Sequence, residues 1–220
     1  MRRDTILSLR RYRNWEKGEF VIIYGDTAWG GLDYSAAIFL SKTNLDTPLI
    51  YHAKVLASEM TPILHQEAEK IHDITGVQPV VCLERQNGGI AELERLATLN
   101  RLGKYRIYQQ KTNMGTTDAV AETVKLGYDV NSATRPTMLS NLKEAIDNRL
   151  IVIPDKPLIN EMFSFVVMQT SSSWKAQAEQ GAHDDLIMSL AGAWQLYQTE
   201  NPPVVIKRTR ERPRKARLHV

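Results

Sequence analysis

The chain has 220 residues, 43% hydrophobic and 24% charged, with a net charge of +3, so it can bury one full core without a disulfide or metal staple. Its single cysteine, Cys82, sits in an apolar run; a disulfide scaffold is excluded and a small core side chain in a reducing compartment is expected. No stretch approaches the ~18 consecutive apolar residues of a membrane span, and the first twenty residues hold no cleavable apolar segment, so a soluble intracellular protein is expected.

The charge is unevenly spread. Residues 207–220 carry seven Lys or Arg against Glu211, and residues 1–18 carry six against Asp4 and Glu16, which leaves −7 for the body between them. Basic ends on an acidic body suit peripheral phosphate contacts around a cation-binding core, or simply solubility. The organisation expected is a basic linker remnant over 1–18 with a helical turn or two, one domain over 19–199, and a basic, disordered tail over 200–220.

In chain order, the apolar run at 20–25 ends in the turn-like Asp26-Thr-Ala-Trp-Gly-Gly31. Residues 34–41 and 49–55 follow as strands, and short connections make the three an antiparallel meander. Thr61-Pro62 predicts an N-cap and first helical residue, with Ile63, Leu64, Ala68, Ile71 and Ile74 inward until Gly76. Residues 77–84 form a short strand buried on both faces. Ile90, Leu93, Leu96 and Ala97 stripe the next helix, a strand returns over 105–109, and the polar stretch 111–134 is a rim loop or hairpin. Thr134-Arg-Pro136 opens a helix, 150–153 is a short strand, 157–168 is helical, and Ser171-Ser-Ser173 breaks the chain. A last helix covers 184–197, with Ile187, Leu190, Ala191 and Trp194 at helical spacing. The fold class expected is α/β, a mixed sheet of an antiparallel meander followed by parallel strands, flanked by helices.

Four acids stand where acids are least expected. Asp26 closes the first strand, Glu84 closes 80–83, and Asp184-Asp185 open the last apolar helix. If the first strand is parallel to the one carrying Glu84, Asp26 and Glu84 emerge side by side, and the helix start can meet them. Such carboxylates repel one another unless divalent cations neutralise them. A site of three or four acids without a Cys/His cage suits Mg²⁺ or Mn²⁺. Two ions about 3.5–4 Å apart would activate a water in line with a phosphodiester and stabilise the leaving oxygen. The five histidines (52, 65, 72, 183 and 219) have no zinc-binding spacing with a cysteine. Asp184 also fits as a simple helix cap.

The strand-end Asp, strand-end Glu and helix-start Asp resemble the ribonuclease H-like nucleases. Gly25-Asp-Thr-Ala-Trp-Gly-Gly-Leu-Asp-Tyr-Ser35, Leu83-Glu-Arg-Gln-Asn87, Thr134-Arg-Pro136, Ile159-Asn-Glu-Met-Phe163 and Gly181-Ala-His-Asp-Asp-Leu-Ile-Met-Ser-Leu-Ala191 resemble the nuclease domain of the tailed-bacteriophage terminase large subunit, over about residues 18–198. That resemblance implies a ribonuclease H-like fold over 19–199 and a metal-dependent endonuclease that cuts double-stranded viral DNA concatemers during packaging, in the host cytoplasm. It implies the terminase ATPase domain, the small terminase subunit and the portal protein as partners. The chain has no G-x-x-x-x-G-K-[ST] phosphate loop, so motor activity is not expected of it. Asp26, Glu84 and Asp184 match the catalytic metal-ligand positions. Asp185 is the weaker member of its pair, and Asp33 is either a secondary ligand or a turn residue. His183 is read as a contact to an Asp or to phosphate, or as a local cap. Arg85, Lys111, Lys125 and Lys175 are candidate DNA contacts, Arg85 alternatively balancing the acids and Lys175 alternatively lying in a solvated loop. Alternatives are a junction resolvase or strand transferase of the same fold, and a non-catalytic nucleic-acid-binding module.

Overall fold

The structure, a computed structural model, describes residues 8–30, 33–114, 121–169, 174–178 and 183–202, with residues 112–114, 121–123, 166–169 and 174–178 described by their backbone alone. The tail expected over 200–220 therefore lies outside the described residues from 203 onward. A six-stranded mixed sheet forms the centre. Its strands are β1 (Leu9–Arg11), β2 (Val21–Asp26), β3 (Ser35–Ser41), β4 (Asp46–Ala53), β5 (Val80–Leu83) and β6 (Arg106–Ile107), in the order β1-β4-β3-β2-β5-β6. The meander β2-β3-β4 is antiparallel, whereas β5 runs parallel to β2 and β6 parallel to β5.

Alternation along these strands sends side chains to two separate cores. Val21, Ile23, Phe39, Tyr51, Val81 and Leu83 face helices α1 (Ala57–Thr75) and α2 (Gly89–Leu99). Ile22, Tyr24, Ile38, Ile50 and Cys82 face the other way, toward α3 (Thr134–Asp147), α4 (Lys156–Ser164) and α5 (Asp185–Thr199). Two hairpins complete the described chain: β7 (Gln109–Met114) with β8 (Ala121–Leu126), and β9 (Phe165–Gln169) with β10 (Trp174–Ala178). Helix α5 lies flat on the sheet because Gly192 leaves room there; a Cβ at that position would come within 2.2 Å of the Tyr24 ring.

The antiparallel-then-parallel order follows the sequence reading, and the differences have local causes. Within the stretch 1–18 expected as a basic linker remnant, the described residues join the sheet. β1 pairs with β4, Arg10 reaches Asp155 on one face, Arg11 reaches Glu67 on the other, and Trp15 is buried. Helix α1 starts at Ala57, so Pro62 lies inside it rather than at its first position. The Ser58 carbonyl, which a residue-62 N–H would otherwise have taken, accepts Arg95 Nη1 at 2.8 Å instead. The segment expected to be helical through 168 leaves the helix at Ser164 and becomes β9, in keeping with the β-branched Val166-Val167. The strand expected over 105–109 pairs only at Arg106–Ile107, and residues 150–153 supply a single parallel bridge, Val152 with Asp46.

Candidate metal centre

The parallel pairing of β2 with β5 places Gly25 beside Leu83, so Asp26 and Glu84 leave the sheet as neighbours. The Glu84 N–H donates to the Gly25 carbonyl at 2.9 Å. On its other side the chain returns past Gly127: Tyr128 N–H donates to Leu83 O at 3.1 Å, and Arg85 N–H donates to Tyr128 O at 3.0 Å. Gly127 has φ +78°, and a Cβ there would stand 2.7 Å from the Leu83 carbonyl oxygen. Gly89, at the start of α2, is tighter still, since its Cβ would lie 1.7 Å from the Glu84 carbonyl oxygen. Glu84 is thus held by backbone on three sides.

Helix α5 delivers the other acids. Ser189, buried within it, accepts the Asp26 N–H at 3.3 Å and donates to the Ala36 carbonyl at 3.2 Å, fixing the helix start against the end of β2. Asp184 precedes α5 but makes no side-chain cap bond; its carboxylate instead pairs with Arg135 at 2.6 Å. The cap comes from Glu161 on α4, whose Oε2 accepts the N–H groups of Leu186 at 3.0 Å and Ile187 at 3.1 Å. The plain-cap reading of Asp184 is replaced by a second carboxylate brought from another helix.

Electrostatics register the crowding. Burial, then the charges of Glu84, Asp185 and Asp184, push the Asp26 carboxyl well above the usual range, with Arg135 pulling back. Burial raises Glu84 to about 7, with Arg135 opposing and Asp184 adding to the rise. Asp185 is pushed up to about 6 by burial and then Asp184, with His183 opposing and Asp33 adding. Glu161 rises to about 8, chiefly by burial, eased by the Ile187 N–H and reinforced by Asp185. Six carboxylates, those of Asp26, Asp33, Glu84, Glu161, Asp184 and Asp185, and Arg135 are therefore linked in a single cluster.

No family model matches the chain. Over 130 residues, 54% of the chain, it is 29% identical to the large terminase subunit of Thermus virus P23-45 and 28% identical to that of Thermus phage G20c. It spans about a quarter of the length of the curated relatives it matches, 27% in each case. Among solved structures, the large terminase nuclease of thermophilic phage G20c with bound cobalt superposes with a TM-score of 0.63 at 18% identity, covering 86% of this chain and 87% of that one. The large terminase nuclease domain of Thermus phage P74-26 gives 0.63 at 19%, covering 88% of each chain. The manganese-soaked terminase nuclease domain of human cytomegalovirus gives 0.52 at 12%, covering 81% and 83%. The fold is that of a terminase nuclease domain. The ribonuclease H-like architecture and the resemblance read from the motifs agree with these comparisons.

Within this terminase-type fold the remaining expected residues have distinct surroundings. Asp33 is exposed, and its charge reaches Asp185. His183 lies edge-on to Tyr34 at 4.9 Å, with its Nδ1 3.7 Å from Asp185 Oδ2. Arg85 does not balance the acid cluster; it pairs with Asp129 at 2.9 Å and donates to the Leu126 carbonyl, bracing the base of the β7–β8 hairpin. Lys125 joins the same Asp129 at 3.2 Å. Lys111 is exposed on β7, and Lys175 lies on β10 with its side chain outside the described residues. Three members of the site have no assigned role in the sequence reading: Arg135, Glu161 and His52. Arg135 offered a signal, because a cation in the first turn of a helix opposes the macrodipole and needs another reason to be there. His52, on β4, stacks on Tyr34 at 4.3 Å and is pushed down to about 4, first by burial, so its ring is neutral.

Proposed function

We propose that this chain is the nuclease part of a phage packaging terminase, hydrolysing phosphodiester bonds of double-stranded DNA with Mg²⁺ or Mn²⁺. The observation that carries the reading is the gathering of Asp26, Glu84 and the Asp184-Asp185 pair at one end of the sheet, in a fold shared with terminase nucleases. A half-buried set of mutually repelling carboxylates fits hard divalent cations, since Asp26, Glu84 and Asp185 are raised by burial and by their acidic neighbours, and Arg135, already paired with Asp184, offsets this only in part at Asp26 and Glu84. Asp26, Glu84 and Asp184 would be the principal ligands, with Asp185 and Asp33 next to them. Bound cations would supply the positive charge that offsets these carboxylates and the charge developing on the phosphodiester.

The rest is done by the chain's own residues. Arg135 holds Asp184 in one orientation, Glu161 fixes the start of α5, and the backbone clamp around Glu84 sets its position against Asp26. The reading includes cleavage indifferent to base sequence and assembly with the terminase ATPase domain, the small subunit and the portal. Lys111, Lys125, Lys175 and His183 would contact the DNA backbone, and the domain would begin at β1 rather than at residue 19.

Plasmid DNA incubated with the purified chain and Mg²⁺ or Mn²⁺ tests the reading. Nicking and linearisation are expected, lost on adding EDTA and reduced by about a hundredfold or more in Asp26→Asn. Intact plasmid with both metals, or an Asp26→Asn variant as active as the parent, overturns it. Cleavage confined to branched junctions would move the assignment to a resolvase.

A further inference from the structure

We propose that His52, Glu161 and Asp185 form a nitrogen-containing site for a first-row transition-metal dication such as Mn²⁺, beside the all-carboxylate set of Asp26, Glu84 and Asp184. One ring nitrogen of His52 and one carboxylate oxygen from each of Glu161 and Asp185 lie within 4.8 Å of one another, so that small side-chain shifts would bring all three onto a single ion. Three different elements supply the donors: β4, α4 and the first turn of α5.

A second observation points the same way. His52 Nε2 and Asp185 Oδ2 are both closed off from solvent and make no hydrogen bond among the described residues; His183 Nδ1 lies 3.7 Å from Asp185 Oδ2. Buried polar atoms are ordinarily satisfied, and a cation between these donors satisfies them together. The His52 ring is already held, stacked on Tyr34, which in turn lies under the Lys54 ammonium at 4.9 Å. Glu161 is held as well, through its bonds to the Leu186 and Ile187 N–H groups. A neutral imidazole with two carboxylates favours Mn²⁺ and its heavier neighbours over Mg²⁺, which prefers oxygen donors and its own waters.

The inference shares Asp185 with the nuclease reading but is measured by ion binding, so each can fail without the other. Mn²⁺ added to the full chain, followed by pulsed electron paramagnetic resonance, reports directly whether a histidine nitrogen touches the ion. Nitrogen coupling is expected in the parent and in Asp26→Asn, and it is expected to vanish in His52→Gln with an affinity loss of about tenfold or more. No nitrogen coupling in the parent overturns the proposal whatever the variants do. Coupling that survives His52→Gln and disappears in His183→Gln overturns it too, by assigning the nitrogen to the other histidine.

Discussion

Two aspartates in this molecule, Asp155 and Asp26, have opposite surroundings. Asp155 is fully buried and accepts four hydrogen bonds: from Arg10 Nε at 2.5 Å and Nη2 at 3.2 Å, from Tyr12 Oη at 2.6 Å, and from the Leu158 N–H at 2.7 Å. Burial would raise its carboxyl, yet these donors hold it below the usual range. Among the described residues Asp26 accepts no such set of donors; burial and three further carboxylates push it far upward. The first acid is the cap of α4 and the clamp of β1. The second stands among carboxylates that burial and mutual repulsion raise together, a setting that a bound cation would relieve.

Removing Asp155 gives the largest effect of this comparison. Asp155→Ala strips the cap from α4 and leaves Arg10 without its partner, with an expected loss of about 3 kcal/mol in denaturant unfolding. β1 should detach as well, exposing Trp15, which lies 5.9 Å from the Arg11 and Arg13 guanidinium carbons, so tryptophan emission should shift to longer wavelength. A variant as stable as the parent would mean that the β1–β4 pairing, Arg11 with Glu67, and Arg13 with Glu19 and Asp46 hold the N-terminal segment without Asp155.

Acid and base divide the two regions next. Asp155 is depressed, so its contribution is present above the unfolded carboxyl value near 3.8 and is lost as pH falls through the lower folded value. Glu84 is raised, so its contribution is complete below its ordinary 4.5 and is lost as pH rises through about 7. Asp185 does the same between 3.8 and about 6. In EDTA the melting temperature should therefore fall from mildly acidic to neutral pH, and added Mn²⁺ should restore it at neutral pH by binding the ionised set. A melting temperature that climbs steadily with pH in EDTA would remove the claim that these carboxylates oppose folding.

The same contrast explains what was legible in the sequence. Asp26 and Glu84 could be located because each ends an apolar run, and a parallel pairing of two short strands then makes them neighbours. Asp184-Asp185 stood out at the head of an apolar helix. Arg10, Arg11 and Arg13 misled, because their carboxylates Asp155, Glu67 and Asp46 lie far along the chain and a three-residue strand carries almost no periodic signal. Glu161 lay in a motif quoted for its resemblance but without a role of its own; the packing of α4 against α5 makes it the cap that was one of the two readings of Asp184. His52 was one histidine on a strand, and nothing local brings it to Glu161 and Asp185.

The smallest effect concerns how the two halves of the acid site are joined. Ser189 is fully buried, and its single hydroxyl serves both the Asp26 N–H and the Ala36 carbonyl, groups facing each other in register across β2 and β3. Ser189→Ala leaves both without that partner, at a cost of about 1–2 kcal/mol. The loss should be alike in EDTA at acidic and neutral pH, since no charge is removed, which separates it from the carboxylate effects. Because the hydroxyl also sets α5 against the end of β2, the variant should require more Mn²⁺ for half-maximal cleavage while keeping its rate at saturating metal. An unchanged metal requirement would show that Gly192 and the apolar face of α5 position the helix without the hydroxyl.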